Sequence, residues 1–138
     1  MKLLTAILAA SVAAGPVVVH APAEAIRMAA AAPGGKSGRF EMKVAATGVT
    51  PNGTFLNSTA DYRADDNLTF RLSPKVAQII AQRYGAAADA YLRGKHVVVD
   101  GRVRNQAIAT TVAGRPRNLA RWQHEVDVDS FGQIVSMD

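Results

Sequence analysis

The chain has 138 residues, 49% of them hydrophobic and 20% charged, which suits one folded domain and argues against a wholly disordered chain. It holds no cysteine, so disulfides, thiolate chemistry and cysteine-based metal sites are excluded. Lys and Arg number 16 against 11 Asp and Glu, a formal net charge of +5 that favours acidic partners without resembling a basic tail.

The chain opens as an export signal. Met1 and Lys2 give a positive start, Leu3 to Ala14 follow without a charge, and Gly15-Pro16 interrupts the run. Ala23-Glu24-Ala25 places small residues where a signal peptidase requires them, so residues 1–25 read as a signal peptide cut after Ala25. Val19-His20-Ala21 offers a second site. The run is too short and too interrupted for a membrane anchor, so no stable membrane insertion is expected after cleavage. An exported chain without cysteine points to a bacterial periplasm or exterior. Residues 26–37, with Ala29 to Ala32 and then Pro33-Gly34-Gly35, read as a flexible linker.

The domain proper is expected over 38–138. Phe40, Met42, Val44 and Ala46 alternate with Glu41, Lys43, Ala45 and Thr47, the period of a half-buried strand. Pro51-Asn52-Gly53 predicts a turn into a short strand over Thr54-Phe55-Leu56. A polar loop runs from Asn57 to Asp66, and Leu68, Phe70 and Leu72 give a third strand. Ser73-Pro74 predicts a helix start, because serine caps free amides and proline at the first position loses no bond. Val76, Ile80, Tyr84 and Tyr91 then mark an apolar stripe on a helix over about 74–93, closed by Gly94 and facing the core through Ile80 and Tyr84. Val97, Val99 and Val103 form the inward face of a fourth strand. Residues 105–118 read as a long polar connection with at most a weak strand over 107–112, and Val126 and Val128 mark the fifth strand. The expected fold is therefore mostly β with one helix: a five-stranded Greek-key barrel of the OB type, the helix between strands 3 and 4.

Three segments carry a resemblance. Phe55-Leu56-Asn57-Ser58, Asp61-Tyr62-Arg63 and Asn67-Leu68-Thr69-Phe70, followed by Gly94-Lys95-His96-Val97-Val98-Val99-Asp100-Gly101-Arg102-Val103 and by Gln133-Ile134, resemble small bacterial exported OB-fold-like proteins. These sit within the tRNA-anticodon-binding-like, nucleic-acid-binding OB superfamily. The chain departs from them after Gly114-Arg115-Pro116, where an extra stretch runs through Trp122. The resemblance implies a module shaped like nucleic-acid-binding OB domains; it does not fix a function.

No motif supports catalysis or a cofactor. His96 and His124 have no metal-ligand spacing, so no metal or cofactor is expected. Asp61, Asp65 and Asp66 do not follow the calcium-loop pattern and suit turn formation instead. Asp127 and Asp129 share one strand face, as any solvated strand allows. Ser58 and Ser130 lack a nucleophile-elbow context. Three Asn-x-Ser/Thr triplets, at Asn52, Asn57 and Asn67, read as turn chemistry. The basic bias is the positive signal: Lys95, Arg102, Arg104, Arg115, Arg117 and Arg121 stand against the single acid Asp100. Arginine forks suit phosphate and carboxylate, and Trp122 or Tyr62 offers a stacking face. The expected binding residues are Arg102, Arg104, Arg115, Arg117, Arg121 and Trp122. The expected function is a non-catalytic exported module for an anionic envelope component or a protein partner. The rival readings are a single-stranded nucleic-acid binder and a small hydrolase using His124 with nearby carboxylates.

Overall fold

The computed structural model describes residues 16–138. The apolar run from Leu3 to Ala14, on which the export signal chiefly rests, lies outside them. The protein is mostly β: eight strands form one mixed sheet, with few helices. In chain order these are β1 (Val19–His20), α1 (Pro22–Ala31), β2 (Lys36–Lys43), β3 (Ala46–Thr50), β4 (Gly53–Asn57), β5 (Leu68–Leu72), α2 (Pro74–Tyr84), α3 (Ala88–Leu92), β6 (His96–Val112), β7 (Arg115–Val128) and β8 (Ile134–Met137). A 3₁₀ turn over Phe131–Gln133 separates the last two strands.

The sheet order is β1-β2-β6-β7-β5-β4-β3, with β8 added beside β6. β2 pairs antiparallel with β6, and β3 pairs antiparallel with β4. Only Val44 and Ala45 separate β2 from β3, so one short step carries the chain from one end of the sheet order towards the other. β5 and β7 run parallel, Leu68 beside His124 through Leu72 beside Val128.

Period-two alternation builds the core. Phe40, Met42 and Val44 point inward with Leu56, Phe70, Leu72, Val97, Val99, Val103, Val126 and Val128, all 1% exposed or less. The Pro51-Asn52 turn joins β3 to β4 as the residues predict. Gly53 follows with φ of 143°, and a Cβ there would stand 2.2 Å from the Leu72 carbonyl oxygen, so no other residue fits.

Three expectations are corrected. The single helix over 74–93 is two: Ser73 caps α2 by accepting from the Val76 amide at 3.3 Å, but Gly85, at φ of 74°, ends it in a left-handed cap. Ile80 is fully buried as expected, whereas Tyr84 is exposed and stacks on Tyr91 with ring centres 4.5 Å apart. The polar connection over 105–118 is instead regular strand, because its backbone groups satisfy one another across a long β6–β7 hairpin. Finally, the segment expected as a linker over 26–37 contains the greater part of α1 and the start of β2. Ala25 and Ala29 of α1 are 0% and 2% exposed and belong to the core. The expected cleavage point after Ala25 therefore falls inside a packed helix.

Candidate functional site

The solvent face of the sheet is the reverse of the core pattern. Side chains between the buried ones in β4, β5, β7 and β6 point outward together, and the register sets them side by side. Phe55 lies opposite Arg71, Thr69 opposite Glu125, Arg71 opposite Asp127, Arg104 opposite Glu125, Gln106 opposite Gln123, and Ile108 opposite Arg121. Two cavities of about 510 and 440 Å³ open on this face. Phe55 and Gln123 line both, so they adjoin as one groove. The first cavity is polar, with Arg71, Arg104 and Glu125. The second lies over β3, with Gly48, Val49 and Tyr62.

The loop between β4 and β5 walls the second cavity and is held rigidly. Asn67 is buried, and its carbonyl oxygen accepts from the Thr59 amide and hydroxyl, each at 3.1 Å. Its amide nitrogen donates to Asn57 Oδ1 at 3.2 Å, Thr69 Oγ1 at 3.1 Å and the Tyr62 carbonyl at 3.4 Å. Ser58 Oγ accepts from the Leu68 amide at 2.8 Å, and Asp61 Oδ1 accepts from the Arg63 amide at 2.9 Å. The product is an exposed tyrosine on a fixed backbone. Arg63 lies 5.0 Å and Arg121 5.4 Å from the Tyr62 ring centre, so two guanidinium groups lie against one aromatic ring.

The floor of the polar cavity is a charge network. Arg104 Nη2 donates to Glu125 Oε2 at 3.1 Å and Asp127 Oδ2 at 2.8 Å, and its Nη1 donates to Gln106 Oε1. Arg71 donates to Asp127 at 2.8 Å and Asp129 at 2.9 Å. Gln123 donates to Glu125 Oε1 at 2.9 Å. Burial, reinforced by the adjacent Asp127 carboxylate, pushes Glu125 up to about 7. Burial acts upward on Asp127 as well, but hydrogen bonds with Glu125, Arg104 and Arg71 outweigh it and hold that carboxyl below its ordinary value.

The six expected binding residues do not form one patch. Arg102 is turned to the start of β2 and donates to the Gly34 and Gly35 carbonyls at 2.8 and 3.4 Å. Arg104 lies in the groove but is committed to two carboxylates. Arg121 lines the Tyr62 loop and donates to Gln123 at 3.1 Å. Arg115 and Arg117 are exposed at the hairpin end and have no acidic partner among the described residues. Trp122 is 51% exposed on the opposite face of β7 from Arg121, across from Ala107.

His124 also lies on the face opposite Glu125 and Asp127. Its Nδ1 is 2.7 Å from Asn105 Oδ1, and burial holds the imidazole below its ordinary value despite nearby Asp65. Among the described residues no three His, Asp or Glu side chains cluster as metal ligands, and no helix is long and apolar enough to cross a membrane. Residue reasoning missed Phe55, Arg71, Gln123 and Glu125 as groove residues. For Phe55 and Arg71 the signal is strand parity, since each stands between two buried neighbours.

No family model matches the chain, and no curated protein matches it in sequence. Among solved structures, one described as an aspartyl-tRNA synthetase from Leishmania major Friedlin is similar with a TM-score of 0.39 and 7% identity, over 85% of this chain and 20% of that one. The chain thus spans a fifth of that protein's length, and a likeness of this degree carries no argument about ligand or activity.

Proposed function

We propose that this protein is a non-catalytic exported binding module whose groove and β6–β7 hairpin together engage an anionic chain. The observation that carries the reading is the Tyr62 loop: a full set of hydrogen bonds is spent on holding an exposed aromatic ring against Arg63 and Arg121 at the groove wall. A loop fixed in this way is preorganised, so little ordering entropy is lost on binding. The hairpin supplies uncompensated charge, since residues 105–124 hold Arg115, Arg117 and Arg121 and no acid. The groove floor contributes shape and hydrogen bonds rather than net charge, because Arg71 and Arg104 are matched by Glu125, Asp127 and Asp129.

The OB-type barrel is part of the same reading. If β2 and β3 are the two halves of one bent strand, the pairings β2–β6, β6–β7, β7–β5, β5–β4 and β4–β3 return to their starting strand, with α2 and α3 between β5 and β6. That circuit supports a small closed barrel, and the groove then lies on the sheet face that such barrels use for chains. A second reading, single-stranded nucleic acid, is favoured by Phe55 and Tyr62, two aromatic rings on one groove.

Titration of the protein with an acidic polysaccharide and a single-stranded oligonucleotide across ionic strengths tests both readings. Binding of either is expected to weaken steeply with salt, and Arg115→Ala with Arg117→Ala to flatten the slope by about 1–2. Tyr62→Ala is expected to cost about 1–3 kcal/mol with the oligonucleotide if bases stack. Equal weak losses for both ligands favour a general anion surface. Absence of binding at low salt removes the reading.

A further inference from the structure

We propose that the segment from Val19 to Ala31 belongs to the mature folded protein, so that a signal peptidase cuts upstream of Val19 and not after Ala25. The proposal rests on the export reading and moves its processing site.

Three contacts tie this segment to the domain. β1 adds a parallel strand to β2, with Val19 beside Arg39 and His20 beside Phe40. His20 is a fitted side chain: its Nδ1 is 2.7 Å from Glu24 Oε1, and its ring centre is 5.7 Å from that of Phe40. Gly38 makes room for it, since a Cβ there would come within 3.3 Å of the imidazole and 3.2 Å of Phe40. α1 then lays Ala25 and Ala29, one helical turn apart, against the core, with Met28 packed beside them. Only alanine-sized side chains let the helix backbone approach so closely.

A cut after Ala25 would remove β1, His20, Glu24 and Ala25 and leave six residues of α1, too few to hold a helix. The core face that Ala25 covers would be opened to water. The small residue at Ala25 therefore has a packing explanation that does not involve a peptidase. Upstream, Val12-Ala13-Ala14 offers a peptidase-compatible spacing of small residues at the end of the uncharged run.

The full chain, expressed in a bacterium and recovered from the periplasm or medium, is measured by intact mass. Ala29→Asp is made in the same chain, because residue 29 survives either cut. The expected product begins before Val19, and Ala29→Asp lowers its folded-to-unfolded ratio by more than about tenfold in urea, as a buried unpaired charge must. A product beginning at Ile26, or anywhere after Val19, overturns the proposal. So does an Ala29→Asp variant as stable as the parent. Failure of the export reading is distinct: the chain then stays uncut in the cytoplasm, and the Ala29→Asp measurement alone decides whether the segment belongs to the fold.

Discussion

At the scale of single residues, Glu125 is the most consequential side chain. It is 4% exposed, with a carboxyl raised to about 7 by burial and by Asp127. A carboxyl whose folded value exceeds its unfolded value of about 4.5 binds its proton more tightly in the folded state. Its stabilising contribution is therefore complete below pH of about 4.5 and is lost as pH rises through about 7. Asp127 shifts the other way, so its contribution is present above its unfolded value near 3.8 and is lost only in stronger acid. Between these windows Glu125 lowers stability as pH rises. His124, held below its ordinary value by burial, acts in the opposite sense over the same range, so urea midpoints measured from pH 5 to 8 should fall more, or rise less, for the parent protein than for Glu125→Gln, in which residue 125 cannot titrate. Parallel profiles would mean that the carboxyl is solvated in solution. Basic residues close in sequence divide by partner: Arg102 and Arg104 are two apart on β6, yet one answers backbone carbonyls and the other carboxylates.

At the scale of elements, helix α2 is held by a single buried stripe. Val76 and Ile80 are fully buried, while Tyr84 leaves the core for Tyr91. Ile80→Ala is expected to cost about 2–4 kcal/mol through lost transfer energy and the cavity left behind. Tyr84→Ala should cost clearly less, and chemical denaturation of the two variants separates them. Comparable losses would mean that the tyrosine pair is as much core as Ile80. The residues made α2's start legible because Ser73-Pro74 acts locally, through one hydroxyl and one missing amide. They made the inward strand faces legible because burial imposes period two. Helix α1 was not legible, since alanines that pack against a core and alanines that fit a peptidase are the same residues. The outer half of the β6–β7 hairpin was not legible either. It has no buried face to impose alternation, and its exposed residues owe their strand geometry to the ladder alone. The groove needed register from four strands at once, which no local pattern carries.

At the scale of the whole molecule, the pairing of β5 with β7 has a kinetic consequence. Arg71 and Asp127 are neighbours in space but 56 residues apart in the chain, and every residue of α2, α3 and β6 lies between them. Closing such a loop costs entropy before any contact in the parallel pair repays it. Refolding is therefore expected in the range of about milliseconds to seconds, with mutations in β7 slowing it and those in the hairpin end mainly leaving it unchanged. Stopped-flow refolding of Val126→Ala and Leu119→Ala compares the two; equal effects on the folding limb would show that closure is not the slow step. The order of synthesis sharpens the point. Until Val128 has been made, β5 has no partner on that side, and the sheet stays incomplete between β5 and β6. On the export reading proposed above, a sheet whose middle is completed last is one that a narrow translocation channel could still accept.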